Sequence, residues 1–457
     1  MLKPDAAHAN PGSANVQFPE TNSNVLEAKP SQTKGHVAIF FWEGYLSVAP
    51  SLINAIRLLA NEGYHVDVIT RPAMYGDYAA MPTFPGGVRI LTDGAGVESH
   101  SRTAILSLKD ESGRVRMRNY IPERIRRWLR RAYERINSWR ELIHFARFSA
   151  RSVRGQKYKC FIGIDMLGLA TAFAVRQLKH IPIIYWSLEI RFLNDFTFGM
   201  ARVVKRLERI CHRRAAFLII QDWERAASLI SENRIDNPKT VIVPNSPLGW
   251  PQCKKSDFFQ KRFGIAPNRR IVVSLGMISP AVLSLEIAAE ASNWNEDLVL
   301  VFHERAKRAE SDLYIKQVRQ AGRGKVLLSL EPLPYEDLDH LVLSAHIGLV
   351  FYRKELGANF SQIAGASGKL AHYLRCGLPV ICLDLPGLVK VVDRYGCGVC
   401  VSEPSEIQAA TERIFREYPS YRANALKCYE ESYEFGRYFR EVLRQIDEFG
   451  PSEGCSA

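Results

Sequence analysis

The chain has 457 residues, 47% of them apolar and 24% charged, with a formal net charge of +13. That length predicts two domains, and the balance of apolar and charged residues is that of a soluble globular protein. Nowhere do about 18 uncharged apolar residues run together, and Met1-Leu2-Lys3-Pro4-Asp5 opens no apolar signal stretch, so neither membrane spanning nor export is expected.

Residues 1–34 are rich in Asn, Ser, Pro, Ala and Gln and poor in large apolar side chains, which predicts a disordered leader. From His36 the pattern becomes strand (His36 to Trp42), helix (49–62, closed by Gly63) and strand (His65 to Thr70), a βαβ opening. Between Arg114 and Lys157 thirteen arginines and one lysine face three glutamates, so +11 of the net charge falls in this one segment. There Ile121, Ile125, Trp128, Leu129, Ile136, Trp139 and Ile143 recur at helical spacing among Arg126, Arg127, Arg130, Arg131 and Arg135. Three readings of this basic amphipathic helix stay open, in falling order: an ordinary surface helix, a helix docking on anionic lipid, and a nucleic-acid patch. Nucleic acid ranks last because no reader motif accompanies the charge.

Strands are expected at Cys160 to Ile164, Pro182 to Trp186, Phe217 to Ile220 and Thr240 to Val243 with helices between most of them, giving a mainly parallel first sheet. The linker falls near 244–268, after Pro244-Asn-Ser-Pro. Alternation restarts at Arg270 to Leu275 and continues through Asp297 to Phe302, Val326 to Leu330, Ile347 to Tyr352, Val380 to Leu383 and Gly398 to Val401. The tail from 405 to 449 reads as helical. The expected division is a leader at 1–34, a first Rossmann-like domain at 35–250 with the basic helix at about 121–153, a second at 251–435, and a terminal helix at 436–457 packing back on the first domain. The fold class is α/β, two doubly wound Rossmann-like domains facing across a cleft. Nine scattered cysteines suit a reducing cytoplasm, and Cys397-Gly-Val-Cys400 lacks the second CxxC of a metal site and reads as core.

The most informative stretch is Ser367-Gly-Lys-Leu-Ala-His-Tyr-Leu-Arg-Cys-Gly-Leu-Pro-Val-Ile381. Ser367 can cap the first turn of a helix, Gly368 allows close approach, and Lys369 adds a charge where the helix dipole is already positive. An anion fits there. Gly377 and Pro379 then stop the helix before a buried strand.

With its order of elements, this chain resembles the retaining glycosyltransferases of the GT-B fold, family 4, over most of residues 36–440. The resemblance rests on Gly44-Tyr45 after the first strand, Val-Ile-Val-Pro-Asn245 between the domains, Ser274-Leu-Gly276, Ser344 to Val350, and above all Ser367 to Val380. It implies a nucleotide-sugar donor on the second domain, its base near the backbone of Leu330 to Pro332 and its diphosphate near Gly276, Gly368 and Lys369. It also implies an acceptor entering near Gly44, Tyr45 and Glu189, and same-face transfer in which the departing diphosphate takes the acceptor proton, so that neither a protein nucleophile nor a metal is needed. The site residues expected are Lys369 and Glu189 for catalysis, with Gly276, Arg305, Glu331, Asn359, Ser361, Ser367, Gly368 and His372 on the donor.

The sequence departs from that family pattern at several points. Where many members carry two glutamates eight residues apart it has Ala364 and His372, and no basic residue follows Gly276, so Arg305, Lys307 or Arg353 is expected to substitute. A branch with Ser-x-Lys-Leu in place of the first glutamate looks closest. The expected protein is thus a cytoplasmic, metal-independent glycosyltransferase, peripheral to the inner face of the membrane, acting in polysaccharide or glycolipid biosynthesis. Its partners would be a nucleotide diphosphate sugar, a glycan, lipid-linked or small acceptor, and an anionic membrane surface through Arg124 to Arg154. No nucleic acid, metal or cofactor is expected. A non-catalytic sugar-nucleotide binder or scaffold and a nucleotide-sugar epimerase are the alternatives.

Overall fold

In the computed structural model, residues 33–73, 77–94, 123–176, 181–196 and 199–450 are described, with side chains omitted at 123–137. The predicted leader lies outside these residues except for its last two positions. Of the arginines counted in the basic segment, Arg114, Arg116 and Arg118 also lie outside them, and Arg124, Arg126, Arg127, Arg130, Arg131 and Arg135 are described in backbone alone, within the helix Glu123–Ser152.

Among the described residues thirteen strands form two sheets. The first contains β1 (Gly35–Phe41), β2 (Tyr64–Thr70), β3 (Val88–Thr92), β4 (Tyr158–Ile164), β5 (Ile183–Trp186), β6 (Phe217–Ile220) and β7 (Thr240–Ile242), in the order β3-β2-β1-β4-β5-β6-β7. The second contains β8 (Arg270–Gly276), β9 (Leu298–Glu304), β10 (Val326–Ser329), β11 (Ile347–Val350), β12 (Val380–Leu383) and β13 (Gly398–Val401), in the order β10-β9-β8-β11-β12-β13. Every pairing between these strands is parallel. β3 has no counterpart among the strands expected from sequence. Its alternation is weak because it is a half-exposed edge strand.

Parallel strands need helical crossovers, and those helices cover both faces. Side-chain alternation along β1 shows it: Val37, Ile39 and Phe41 join one buried cluster, while Ala38, Phe40 and Trp42 join another on the opposite face. The second sheet has a single continuous core that includes Tyr373 of the helix Gly368–Arg375. Tyr373 packs against Gly348 of β11, where a Cβ would lie 2.3 Å from its ring, and its hydroxyl accepts the Leu275 N–H at 2.8 Å. The helix therefore sits at a fixed height above the end of β8.

The helical tail divides between the two halves. Tyr418–Ser432 packs on the second core through Ala425, Cys428 and Tyr429, whereas Phe435–Asp447 inserts Phe435, Phe439, Val442 and Ile446 into the first. These are two Rossmann-like domains with a helical C-terminal tail, the GT-B architecture.

In each sheet the strand order reverses next to the first strand of that sheet, between β1 and β4 and between β8 and β11. Doubly wound sheets bind ligands beyond the carboxyl ends of the strands at this switch point. The loops after β1 and β8 face one another across the interdomain cleft, which defines where chemistry should be sought.

Candidate functional site

Two adjoining cavities occupy that cleft. One of about 320 Å³ lies toward the second domain and is lined by Gly276, Arg305, Tyr352, Gly368, Lys369 and His372 among others. The other, about 640 Å³, lies toward the first domain and is lined by Trp42, Glu43, Tyr45, Asp165, Glu189 and Arg225 among others. Glu189, Asn245, Arg305 and Asn359 belong to both walls, so the cavities communicate.

The second-domain cavity is built around the start of the helix Gly368–Arg375. Ser367 is its N-cap: the hydroxyl accepts from the Leu370 N–H at 3.3 Å and exchanges a hydrogen bond with the Tyr352 hydroxyl at 2.9 Å. Lys369 lies half-buried with its ammonium 4.4 Å from the centre of the Tyr352 ring. Loss of hydration pushes its pKa down to about 7. No acidic side chain among the described residues pairs with it. A buried cation without a counter-ion, at the positive end of a helix, is an incomplete arrangement that an anionic ligand completes.

Opposite Lys369, Gly276 ends β8 at φ 105°, a conformation that favours glycine. Its carbonyl accepts from the Arg305 N–H at 2.8 Å. Buried Glu304 fixes the turn by accepting from the backbone N–H groups of Ile278 and Arg305. Burial raises the Glu304 carboxyl, against those hydrogen bonds and the nearby arginines. Of the three cations expected to replace the missing basic residue after β8, only Arg305 lines the cavity. Arg353 is paired with Glu286 and donates to the Pro280 carbonyl, and Lys307 is paired with Glu331 at 3.2 Å.

Asn245 ties the linker to this helix. It accepts from the Ser51 hydroxyl at 2.7 Å, and its amide donates to the Ala366 carbonyl at 3.0 Å. Asn245→Ala should cost about 1 kcal/mol of stability for these bonds, seen as a melting shift of about one to two degrees. An unchanged melt would show that neither bond matters.

His372 is buried against Asp339, which its Nε2 meets at 2.8 Å, leaving Nδ1 for the cavity. Arg375 donates to the same Asp339 oxygen at 2.7 Å. Asp339, His372 and Cys376 form the one metal-capable group found among the described residues, but the guanidinium of Arg375 already supplies the positive charge there.

Several expected site residues are placed elsewhere. Glu331 lies exposed in its pair with Lys307 and lines neither cavity, and Ser361 lines neither. Ala364 is also outside both walls, packed against Gly387. Gly44 is not a lining residue: its φ is 78°, and a Cβ there would lie 2.5 Å from the Arg71 carbonyl, so its task is to turn the chain past that backbone. Asn359 lines both cavities, with its carbonyl oxygen held by the Ile190 N–H and Arg225, so its amide nitrogen is what remains for a ligand.

The first-domain cavity contains an acidic cluster of which sequence reasoning found only Glu189. Glu43 lies just beyond β1, Asp165 just beyond β4 and Glu189 just beyond β5, and these three strands are adjacent in the sheet. Asp165, at φ 51°, accepts from the N–H groups of Leu188 and Glu189 at 2.7 and 2.9 Å. Burial raises the carboxyls of both Glu43 and Asp165, each also beside neighbouring carboxylates. The Glu43 Oε2 is buried without a hydrogen-bond partner among the described residues. Arg225, fully buried, crosses the cleft to the Asn359 side chain and the Gln362 carbonyl while holding Gln221 and the Leu188 carbonyl. An anion seat on one side and hydroxyl-accepting carboxylates on the other is an arrangement suited to passing a group between two bound molecules.

The comparisons agree with this architecture. A family model described as the C-terminal domain of glucosyltransferase 3-like proteins matches residues 308–446, which include Lys369 and the helical tail. No curated protein matches the sequence. Sucrose-phosphate synthase from Thermosynechococcus elongatus is similar in structure, with a TM-score of 0.62 at 14% identity over 90% of this chain and 99% of that one. HepE of Anabaena, solved with UDP and glucose, gives 0.59 at 12% identity over 91% and 100%. The UDP-forming α,α-trehalose-phosphate synthase from Burkholderia vietnamiensis gives 0.56 at 11% over 90% and 99%. At such identities these likenesses establish the GT-B fold of the glycosyltransferases and leave the activity to be argued from the site.

Proposed function

We propose that the chain is a retaining, metal-independent glycosyltransferase that moves a sugar from a nucleoside diphosphate donor to a hydroxyl of an acceptor. One observation carries the reading: Lys369, half-buried at the start of a capped helix with no carboxylate partner, in a cavity that opens onto an acid-lined second cavity. The diphosphate would lie between the helix start, Lys369 and the Gly276 turn, with Arg305 beside it. These groups stabilise the negative charge that grows on the leaving diphosphate as the glycosidic bond breaks. The acceptor would lie against Glu43, Asp165 and Glu189, which hold its hydroxyls by hydrogen bonds. The acceptor oxygen bonds to the anomeric carbon on the face that the diphosphate leaves, and its proton passes to the departing phosphate, so the anomeric configuration is kept without a protein nucleophile. HepE was solved with UDP and glucose, which makes a uridine nucleotide the natural first probe.

The missing glutamates favour one second reading, a GT-B protein that binds a sugar nucleotide without turning it over. Nucleoside diphosphate release that requires an acceptor, with product of the donor's anomeric configuration by NMR, supports transfer. Donor binding with no release across an acceptor panel supports the binder, and sugar epimerisation without acceptor would displace both.

A further inference from the structure

Three of the helices that cover one face of the first sheet are Glu123–Ser152, Asp165–Arg176 and Met200–Arg213. All place side chains in the same buried cluster, through Phe145, Leu169 and Val204 for example, so their outer faces form one continuous surface. On Met200–Arg213 that surface is apolar where solvent should favour polar residues. Val203, Leu207 and Ile210 follow one another at helical spacing and remain 40%, 41% and 49% exposed.

Between and beyond them Arg206, Arg213 and Arg214 are exposed. The helix's only acid, Glu208, is buried in its pair with Lys205 at 2.9 Å. The neighbouring helix repeats the pattern over its described side chains: Ile143 is 47% exposed and is flanked by exposed Arg140 and Arg147, with Arg151 and Arg154 continuing the row. Nearby acids are already engaged, Glu141 by Arg71 and Glu232 by Arg209, both at 3.3 Å.

At the C-terminal end of Met200–Arg213 lies a separate cavity of about 410 Å³, lined by His212, Arg213, Arg234 and Lys239, with Asp236 as its only acid. His212 is fully buried there. Its Nδ1 accepts from the Asn233 amide at 3.0 Å, so Nε2 carries the proton, and that N–H has no partner among the described residues. Burial keeps the imidazole neutral, its pKa lowered to about 4.

We infer that this face docks on a membrane rich in anionic phospholipid, with Val203, Leu207 and Ile210 entering the interface and the basic cavity taking a phosphate headgroup. Charge complementarity selects this occupant: arginines ring the apolar stripe with no exposed acid on the same helix. Nucleic acid would satisfy the arginines and leave three apolar side chains against phosphates. The segment leading into this helix lines the acceptor-side cavity through Arg191 and Phe196, so a docked surface would adjoin the cleft mouth. Among the described residues no helix is long and apolar enough to cross a membrane, so the association is one of surface contact. The inference does not depend on the glycosyltransferase reading.

The test is co-sedimentation of the full chain with phosphatidylglycerol–phosphatidylcholine vesicles and with phosphatidylcholine vesicles alone. We expect partition onto the anionic vesicles that weakens with salt. The double variant Leu207→Asp/Ile210→Asp should lower it at least tenfold, and Arg213→Glu/Arg234→Glu should lower it comparably. Both variants should keep the wild-type melting curve and UDP affinity, which reports folding and the cleft separately. Failure of the wild-type chain to bind anionic vesicles overturns the inference, as does binding unaffected by Leu207→Asp/Ile210→Asp. Release by inorganic phosphate beyond that given by sodium chloride of equal ionic strength would assign the cavity to free phosphate and overturn the headgroup seat.

Discussion

Lys369→Ala should weaken binding of UDP or UDP-glucose at least tenfold, about 1.4 kcal/mol, and a charge-assisted contact to phosphate makes a hundredfold loss reasonable. The physical basis is the lowered pKa. Without ligand, burial brings the ammonium down to about 7, so at pH 8 the side chain is mostly neutral. A diphosphate beside it favours the charged form and raises the pKa again. Binding at pH 8 should therefore take up a proton, and affinity should fall as pH rises above about 7 toward the pKa of the complex. Calorimetry in buffers of different ionisation enthalpy reads that proton directly, and Lys369→Ala should abolish it. Lys369→Met gives a control for folding. It removes a charge that burial disfavours, so its melting temperature should match or exceed the wild-type value while nucleotide binding is lost. Unchanged affinity in Lys369→Ala, or no proton uptake by the wild-type chain at pH 8, removes the diphosphate seat.

The helix start proposed as that seat was legible because its parts are contiguous. Ser367, Gly368 and Lys369 are neighbours in sequence, and capping, close approach and charge each follow from residue type at a helix start. The alternation of strands and helices was legible for the same reason, since period-two and helical patterns are local. The acidic cluster was not. Glu43, Asp165 and Glu189 are more than a hundred residues apart at the extremes and share no spacing. They converge because β1, β4 and β5 are neighbours in the sheet, and strand order is a property of the topology. One signal was available: each acid lies within three residues of a strand's carboxyl end, where doubly wound sheets place their sites. Glu331 passes that same positional test yet lies outside the wall, paired with Lys307, so the rule nominates candidates without ordering them. Arg225 was invisible for a further reason. It is a mid-sequence arginine on the helix Trp223–Asn233, and its value lies in partners on both sides of the cleft.

Asp339→Ala should cost about 3–5 kcal/mol of stability, a loss far larger than an exposed pair would give. Asp339, His372 and Arg375 are all buried, and one Asp339 oxygen receives both the His372 ring and the Arg375 guanidinium. Burial alone would raise the Asp339 carboxyl. The His372 hydrogen bond and the Arg375 charge outweigh it and hold the pKa below the usual value. That contribution is present above the ordinary carboxylate pKa and is lost as pH falls through the lowered one. Arg375 spends its remaining donors on the Gly249 and Trp250 carbonyls of the linker, where the Tyr429 hydroxyl also bonds Gly249. Removing Asp339 therefore leaves a buried guanidinium unpaired at the joint between the domains, and frees the ring of His372 beside the second-domain cavity. Chemical denaturation should show the loss at neutral pH and a smaller difference from the wild-type chain in acid. The double variant Asp339→Leu/Arg375→Met should recover much of it, because the unpaired charge goes with its partner. If the double variant is as unstable as Asp339→Ala, the penalty comes from lost packing and linker bonds, and the ion-pair account of this joint fails.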